Sequence, residues 1–427
     1  MTDEAFLYPN RGEDADDRVS RRLLLAGSAA AGVTATAGCS GDADGNEDTT
    51  DGPPAEVTDR DTVFVFNTGD GTVSIVDAGD TEVVDTVDLG ASSSFPSNQY
   101  LPGLTDSARD PLWLNVGRGV RALSVGTLSE VATVETGSGA NWQELTPDGE
   151  SLVVSAREPA HSQYLIDADR DSDSFGSVTA ELDRTDEGGR GDIDGPGPCD
   201  VTVHPDGRFA YVPDLYGDTL TVLDLEEFGV HEQVDVPPVV ADAAAPWMGT
   251  VAPDGDTLLV EHNEGADGTE SVWDTSDPGA PTELLRLTAE DGLGRRPLTS
   301  EIGPDSETGY VFTPGSEDVT VIDLAAGEVS GRIDLGGEAF VGTWDPDHDR
   351  LYVPVQTADE VAVIDHEAGG VVDRIPVGGA PYGATAATVR PAGGSAGTRS
   401  ADRRLYRELS GEGTTYCIGN CACGHEL

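Results

Sequence analysis

An all-β fold, a seven-bladed β-propeller of four-stranded antiparallel blades, is what this 427-residue chain predicts. Three observations predict it. Short runs rich in Val, Tyr, Thr and Leu follow one another with turn signals between them, and such side chains suit a pleated, half-buried surface better than a helix. A stretch of about 40 residues recurs along the chain, the size of one propeller blade. The repeats are also out of phase: the chain opens on a three-strand set at Thr62 and closes on a lone first strand at residues 382–389. Pairing that last strand with the first set closes the ring and removes sheet edges that would invite aggregation.

Residues 198–236 are the clearest copy. The apolar run 199–203 is followed by His204-Pro205-Asp206-Gly207, then by runs at 209–213, 215–218 and 219–225 and a last run ending at Val236. Pro presets φ and Gly tolerates positive φ, so Pro-Asp-Gly is a tight-turn sequence. Strong copies stand at 62–89, 310–335 and 351–377, weaker ones at 112–135, 151–182 and 257–287. First-strand candidates precede or follow them at 95–101, 141–145, 198–203, 247–252, 298–302, 340–344 and 381–386. Phe209-Ala210-Tyr211-Val212-Pro213, Leu351-Tyr352-Val353-Pro354 and residues 375–383 (IPVGGAPYG) resemble the YVTN-type β-propeller repeat. The resemblance covers residues 61–391 and implies the seven-bladed fold; it says almost nothing about activity.

Charge defines the setting. Asp and Glu number 80 against 24 basic residues, every one of them arginine, for a formal net charge of −56. With 37% hydrophobic residues the chain still has the means to build a core, so it is not a disordered acidic polymer. Concentrated salt screens the self-repulsion while carboxylates hold water and cations, which makes this the composition of a salt-adapted, haloarchaeal protein. It excludes nucleic acid as a partner.

Residues 1–38 read as a twin-arginine signal peptide. Arg21 and Arg22 precede an apolar run that is too short for a membrane span, and small residues lead into Cys39. The plain alternative is a cytoplasmic tail that happens to hold Arg-Arg and Cys. On the export reading Cys39 carries the lipid, residues 39–60 form a flexible stalk, and the propeller is anchored to the outer face of the cell membrane. Within the propeller, Asp167, Asp169, Asp171 and Asp173 alternate as in a calcium loop. Ser172 at the sixth position and Val178 at the twelfth exclude an EF-hand; a solvated carboxylate run is the plain reading and a calcium site of another kind the alternative.

First strands line a propeller's channel. Here they carry Trp142, Trp247, Trp344 and Tyr382, which form either an aromatic mouth for a small ligand or packing between blades. Glu144, Glu301 and Asp345 lie on or beside these strands and are the carboxylates a lactonase-type or redox enzyme would use at the channel mouth. The seven histidines fall mostly in turns and loops without clustering, against a haem or copper site in the channel, and Cys199 reads as a small buried residue. There is no phosphate loop, nucleophile elbow or HExxH.

Residues 392–427 begin with a Gly/Ser joint. A short basic helix follows, with Arg399, Arg403, Arg404 and Arg407, and then a Cys/His tail. Cys417, Cys421, Cys423 and His425 supply three thiolates and an imidazole. The alternatives are one soft ion, Cu(I) or Zn²⁺, a disulfide from Cys417, or unpaired thiols. The chain therefore reads as an exported, lipid-anchored binding or scaffold propeller that meets a protein or small-molecule partner at its rim. A propeller enzyme of lactonase or redox type is the alternative.

Overall fold

The computed structural model describes residues 57–88, 104–116, 118–191 and 193–392. The export signal with Arg21, Arg22 and Cys39, the first-strand candidate 95–101, and the tail with Cys417, Cys421, Cys423 and His425 lie outside the described residues. Seven antiparallel sheets make seven blades. Six have four strands; in the second blade three strands are described, Pro111–Val116, Gly119–Ser124 and Glu130–Glu135.

Ring closure is as the phase shift predicts. Pro381–Pro391 is the inner strand of the first blade and pairs antiparallel with Val57–Asn67, in a register that sets Thr62 opposite Ala387 and Phe66 opposite Gly383. Thr72–Asp77 and Glu82–Asp88 complete that blade. The ladder also runs past the predicted boundary, because Val57 pairs with Pro391 and Thr58 with Arg390. Residues 57–60, read from the sequence as the end of the stalk, therefore belong to the ring.

The run at 215–218, read as one of the apolar segments of its blade, is the turn between Phe209–Asp214 and Thr219–Asp224. Asp218 there takes a left-handed φ of 52°, and Leu215 is buried as an anchor. The Pro-Asp-Gly signals do form turns, with Gly207 and Gly255 at φ 75° and 82°. The aspartate of each such turn accepts backbone N–H groups ahead of it: Asp206 from Arg208 and Phe209, Asp148 from Glu150, and Asp254 from Asp256. The aspartate closing each "-VID-" strand does the same at the next hairpin. Asp77 accepts from Gly79 and Asp80, Asp224 from Glu226 and Glu227, and Asp365 from Ala368. Aspartate favours these turns because its short carboxylate mimics a backbone acceptor.

Apolar burial is divided among seams. Seven hydrophobic clusters are found among the described residues, one for each junction between neighbouring blades. Phe64 and Ile75 meet Leu112 and Leu123, for example, and Tyr352 and Val363 meet Val63 and Val65 on the other side of the first blade. The cluster between the third and fourth blades runs on across the middle of the ring and takes in Trp247, Leu298, Phe340 and Tyr382.

Candidate functional site at the centre of the ring

The inner strands that matter are Ala140–Leu145, Thr202–Val203, Pro246–Val251, Thr299–Ile302, Thr343–Trp344 and Pro381–Pro391. Polar side chains on them, or next to them, tie each blade to the next. Asn115 of the second blade donates to the Asn141 carbonyl at 3.3 Å, and Ser155 of the third to the Asp200 carbonyl at 2.8 Å. Thr250 of the fifth donates to the Ser300 carbonyl at 2.8 Å, and Thr299 of the sixth to the Phe340 carbonyl at 2.7 Å. Two acids serve the same purpose in reverse. Glu144 Oε2 accepts from the Val203 N–H at 3.1 Å, and Asp200 Oδ2 from the Gly249 N–H at 2.7 Å.

Glu144, Asp200, Glu261 and Glu301 are all buried, and the charges of Glu144 and Glu261 act on both Asp200 and Glu301. Burial pushes the Glu144 carboxyl up to about 8, against the pull of the Val203 N–H and Thr202. Asp200 is driven well above the carboxylate range, first by burial, then by the Glu144 and Glu261 charges, although it accepts from Val201 at 2.7 Å and from Gly249. Glu301, beside the Trp344 indole, is raised by burial and by the same two glutamates. A carboxyl that is neutral at pH 7 donates a hydrogen bond as readily as it accepts one. These groups are therefore equipped for proton transfer in chemistry and for blade-to-blade bonding in structure.

Of the three acids picked from the sequence, Glu144 and Glu301 come together and Asp345 does not. Asp345 Oδ1 accepts from the N–H groups of Asp349 and Arg350 in a turn, and its carboxyl, pushed up to about 6 by burial, faces a cleft between the seventh and first blades. That cleft, about 340 Å³, is lined by Asp61, Asp345, Asp347, Asp349, Asp365 and Glu367 with Arg350 and His366. His366 is held from the sixth blade, its Nδ1 bonded to the Tyr310 hydroxyl at 2.8 Å and its Nε2 3.2 Å from Asp305.

The four aromatic residues divide similarly. Trp142, Trp247 and Tyr382 join one apolar cluster with Met248 and Phe340, where the Phe340 and Tyr382 rings stack at 4.9 Å. Trp344 packs edge-on against Tyr310 at 5.8 Å in the seam between the sixth and seventh blades. Cys199 is buried, with Asn141 Nδ2 donating to its sulfur at 3.1 Å. The alternating aspartates at 167–173 satisfy themselves: Asp167 accepts from Ser172, Ser174 and the Asp169 N–H, and Asp171 pairs with Arg109 on the surface.

No family model matches the chain, and no curated protein matches it. Solved structures do. A periplasmic gluconolactonase of Pseudomonas aeruginosa is 18% identical with a TM-score of 0.59, over 77% of this chain and 99% of that one. A Lactobacillus plantarum protein is 16% identical with a TM-score of 0.61, over 77% and 99%. A candidate 6-phosphogluconolactonase of Bacteroides uniformis is 14% identical with a TM-score of 0.56, over 77% and 100%. The chain is a seven-bladed β-propeller. At these identities the likeness speaks for the fold alone.

Sequence reasoning missed Asp200, Glu261 and Glu270. Each lies in or beside an apolar run, in PCDVTV, TLLVEH and TESVWD. An acid in the middle of a strand buried on both faces is the signal that could have found them, because such a residue is rarely buried without a purpose. Among 80 acids the signal is easily lost.

Proposed function

We propose that the chain is an exported binding or scaffold propeller, anchored to the outer face of the cell membrane through Cys39, that presents its rim to a protein or small-molecule partner. The carrying observation is how the centre is used. Glu144 and Asp200 are bonded into neighbouring inner strands, and buried aromatic side chains pack across the middle of the ring. Recognition then falls to the rim, where a cleft opens between the seventh and first blades. Its carboxylates disfavour phosphorylated and other anionic ligands.

A photo-crosslinking side chain placed at Asp347 or Glu367 in native membranes is expected to give one discrete adduct, and the same group at Glu328 on the outer circumference none. Adducts at both places, or at neither, reject the rim as the recognition surface. The Cys/His tail belongs to the same proposal as a seat for Cu(I) or Zn²⁺. Metal content that is equal in the native protein and in Cys417→Ser/Cys421→Ser removes it.

A second reading, hydrolysis of a neutral sugar lactone, draws on the gluconolactonase among the fold neighbours and on the raised Glu144 and Glu301. Lactonase activity that Glu144→Gln abolishes would replace the binding proposal with this one.

A further inference from the structure

The fifth blade carries three buried glutamates that are treated in two different ways. Glu264 is fully provided for. Its Oε1 accepts from the N–H groups of Val239, Val240 and Ala241, its Oε2 from Thr269 at 3.0 Å, and Arg286 pairs with it at 3.1 Å. Glu261 and Glu270 have none of this. They stand directly opposite each other in the ladder between Thr257–His262 and Thr269–Asp274, so their side chains share one face of the blade. Met248 is the cross-strand neighbour of Glu261 on the inner side and Leu287 that of Glu270 on the outer side. The row across the four strands thus reads apolar, acid, acid, apolar.

Both glutamates are completely buried, and none of their four carboxyl oxygens receives a hydrogen bond from a protein group. Like charges directly opposite in a sheet are destabilising, and a buried unpaired carboxylate is costly. An independent feature points at the same place. The Ser300 hydroxyl of the sixth blade, 2% exposed, lies against Glu261 and has no other protein partner, and Glu301, with one unpartnered oxygen, follows it in the chain. Arg286, whose charge reaches Glu270, is engaged by Glu264 and Glu283.

We propose that Glu261, Glu270 and the Ser300 hydroxyl form a site for one hard cation, calcium, in the seam between the fifth and sixth blades. The donor set consists only of oxygens, which favours calcium, sodium or potassium over Zn²⁺ or Cu(I). Two carboxylates balance the charge of calcium, whose flexible coordination tolerates four carboxyl oxygens, a hydroxyl and water. Among the described residues no three His, Cys, Asp or Glu side chains gather as a metal site, so the serine hydroxyl and water complete the shell. Burial pushes both carboxyls upward, and the Glu261 charge raises Glu270 further against the pull of Arg286. The ion would fasten two blades where no protein group does.

The test uses the full chain in concentrated NaCl, which screens weak binding to the acidic surface. After treatment with a chelator and return of calcium, one tightly held equivalent per chain is expected. Glu261→Gln/Glu270→Gln should lose that equivalent, and Asp347→Asn/Asp349→Asn in the rim cleft should keep it. No retained calcium, or the same amount in the Glu261/Glu270 variant, overturns the site. If the double variant does not fold, Ser300→Ala decides: calcium binding weakened roughly tenfold supports the site, and unchanged affinity rejects it.

Discussion

Acids do two opposite jobs in this protein, and each residue's surroundings decide which. The turn aspartates Asp77 and Asp224 collect N–H groups and an arginine each, and these hold their carboxyls below the usual range. Their contribution to stability is present above the ordinary value of 3.8 and is lost as pH falls further. Glu144 behaves in the other sense. Raised by burial from 4.5 to about 8, it holds its proton more tightly in the folded state, so its contribution is full below about 4.5 and declines as pH rises to about 8. The melting temperature in high salt is accordingly expected to fall across that window. Glu144→Gln keeps an acceptor for the Val203 N–H and should flatten the fall, an effect on the order of a few kcal/mol in unfolding free energy. Parallel pH profiles for the two proteins would count against this assignment.

At the level of the strand and blade, the repeated tyrosine is more than a marker of β-structure. In three blades the tyrosine of the "-YVP-" or "-YVF-" strand reaches into the next blade. Tyr211 donates to the Pro278 carbonyl at 3.0 Å, Tyr310 is bonded to His366, and Tyr352 donates to the Ala78 carbonyl at 2.9 Å. Tyr352→Phe leaves the Ala78 carbonyl without its donor at the seam where the ring closes. It is expected to cost about 1–3 kcal/mol in chemical denaturation; an unchanged midpoint would mean that the bolt carries no load. The strands, the Pro-Asp-Gly turns and the place of Tyr352 in a repeat were legible in the sequence, because they depend on local patterns. Its partner was not, since Ala78 lies 274 positions away.

For the whole molecule, the count of seven and the mode of closure could be read because the repeats are visibly out of phase. The start of the ring was misread by four residues, 57–60, because Asp and Arg there look like a solvated stalk although the backbone ladder continues through them. The central site was half legible. Glu144 and Glu301 sit on recognisable first strands, whereas Glu261 and Glu270 are brought to the seam only by a cross-strand register that no short window reveals. Asp345 looked equivalent to Glu301 from its place after a first strand, but the chain has already entered the turn there and aims it into the rim cleft.

That closure also has a consequence for biosynthesis. Pro381–Pro391 is the last described strand to leave the ribosome, yet it is the innermost strand of the blade made first. Until it emerges, Val57–Asn67 waits with an unoccupied flank, and no partial product can be a finished ring. Any chain cut short of Pro381 lacks the closing strand, so truncation just before it should be as damaging as truncation in the middle of the ring.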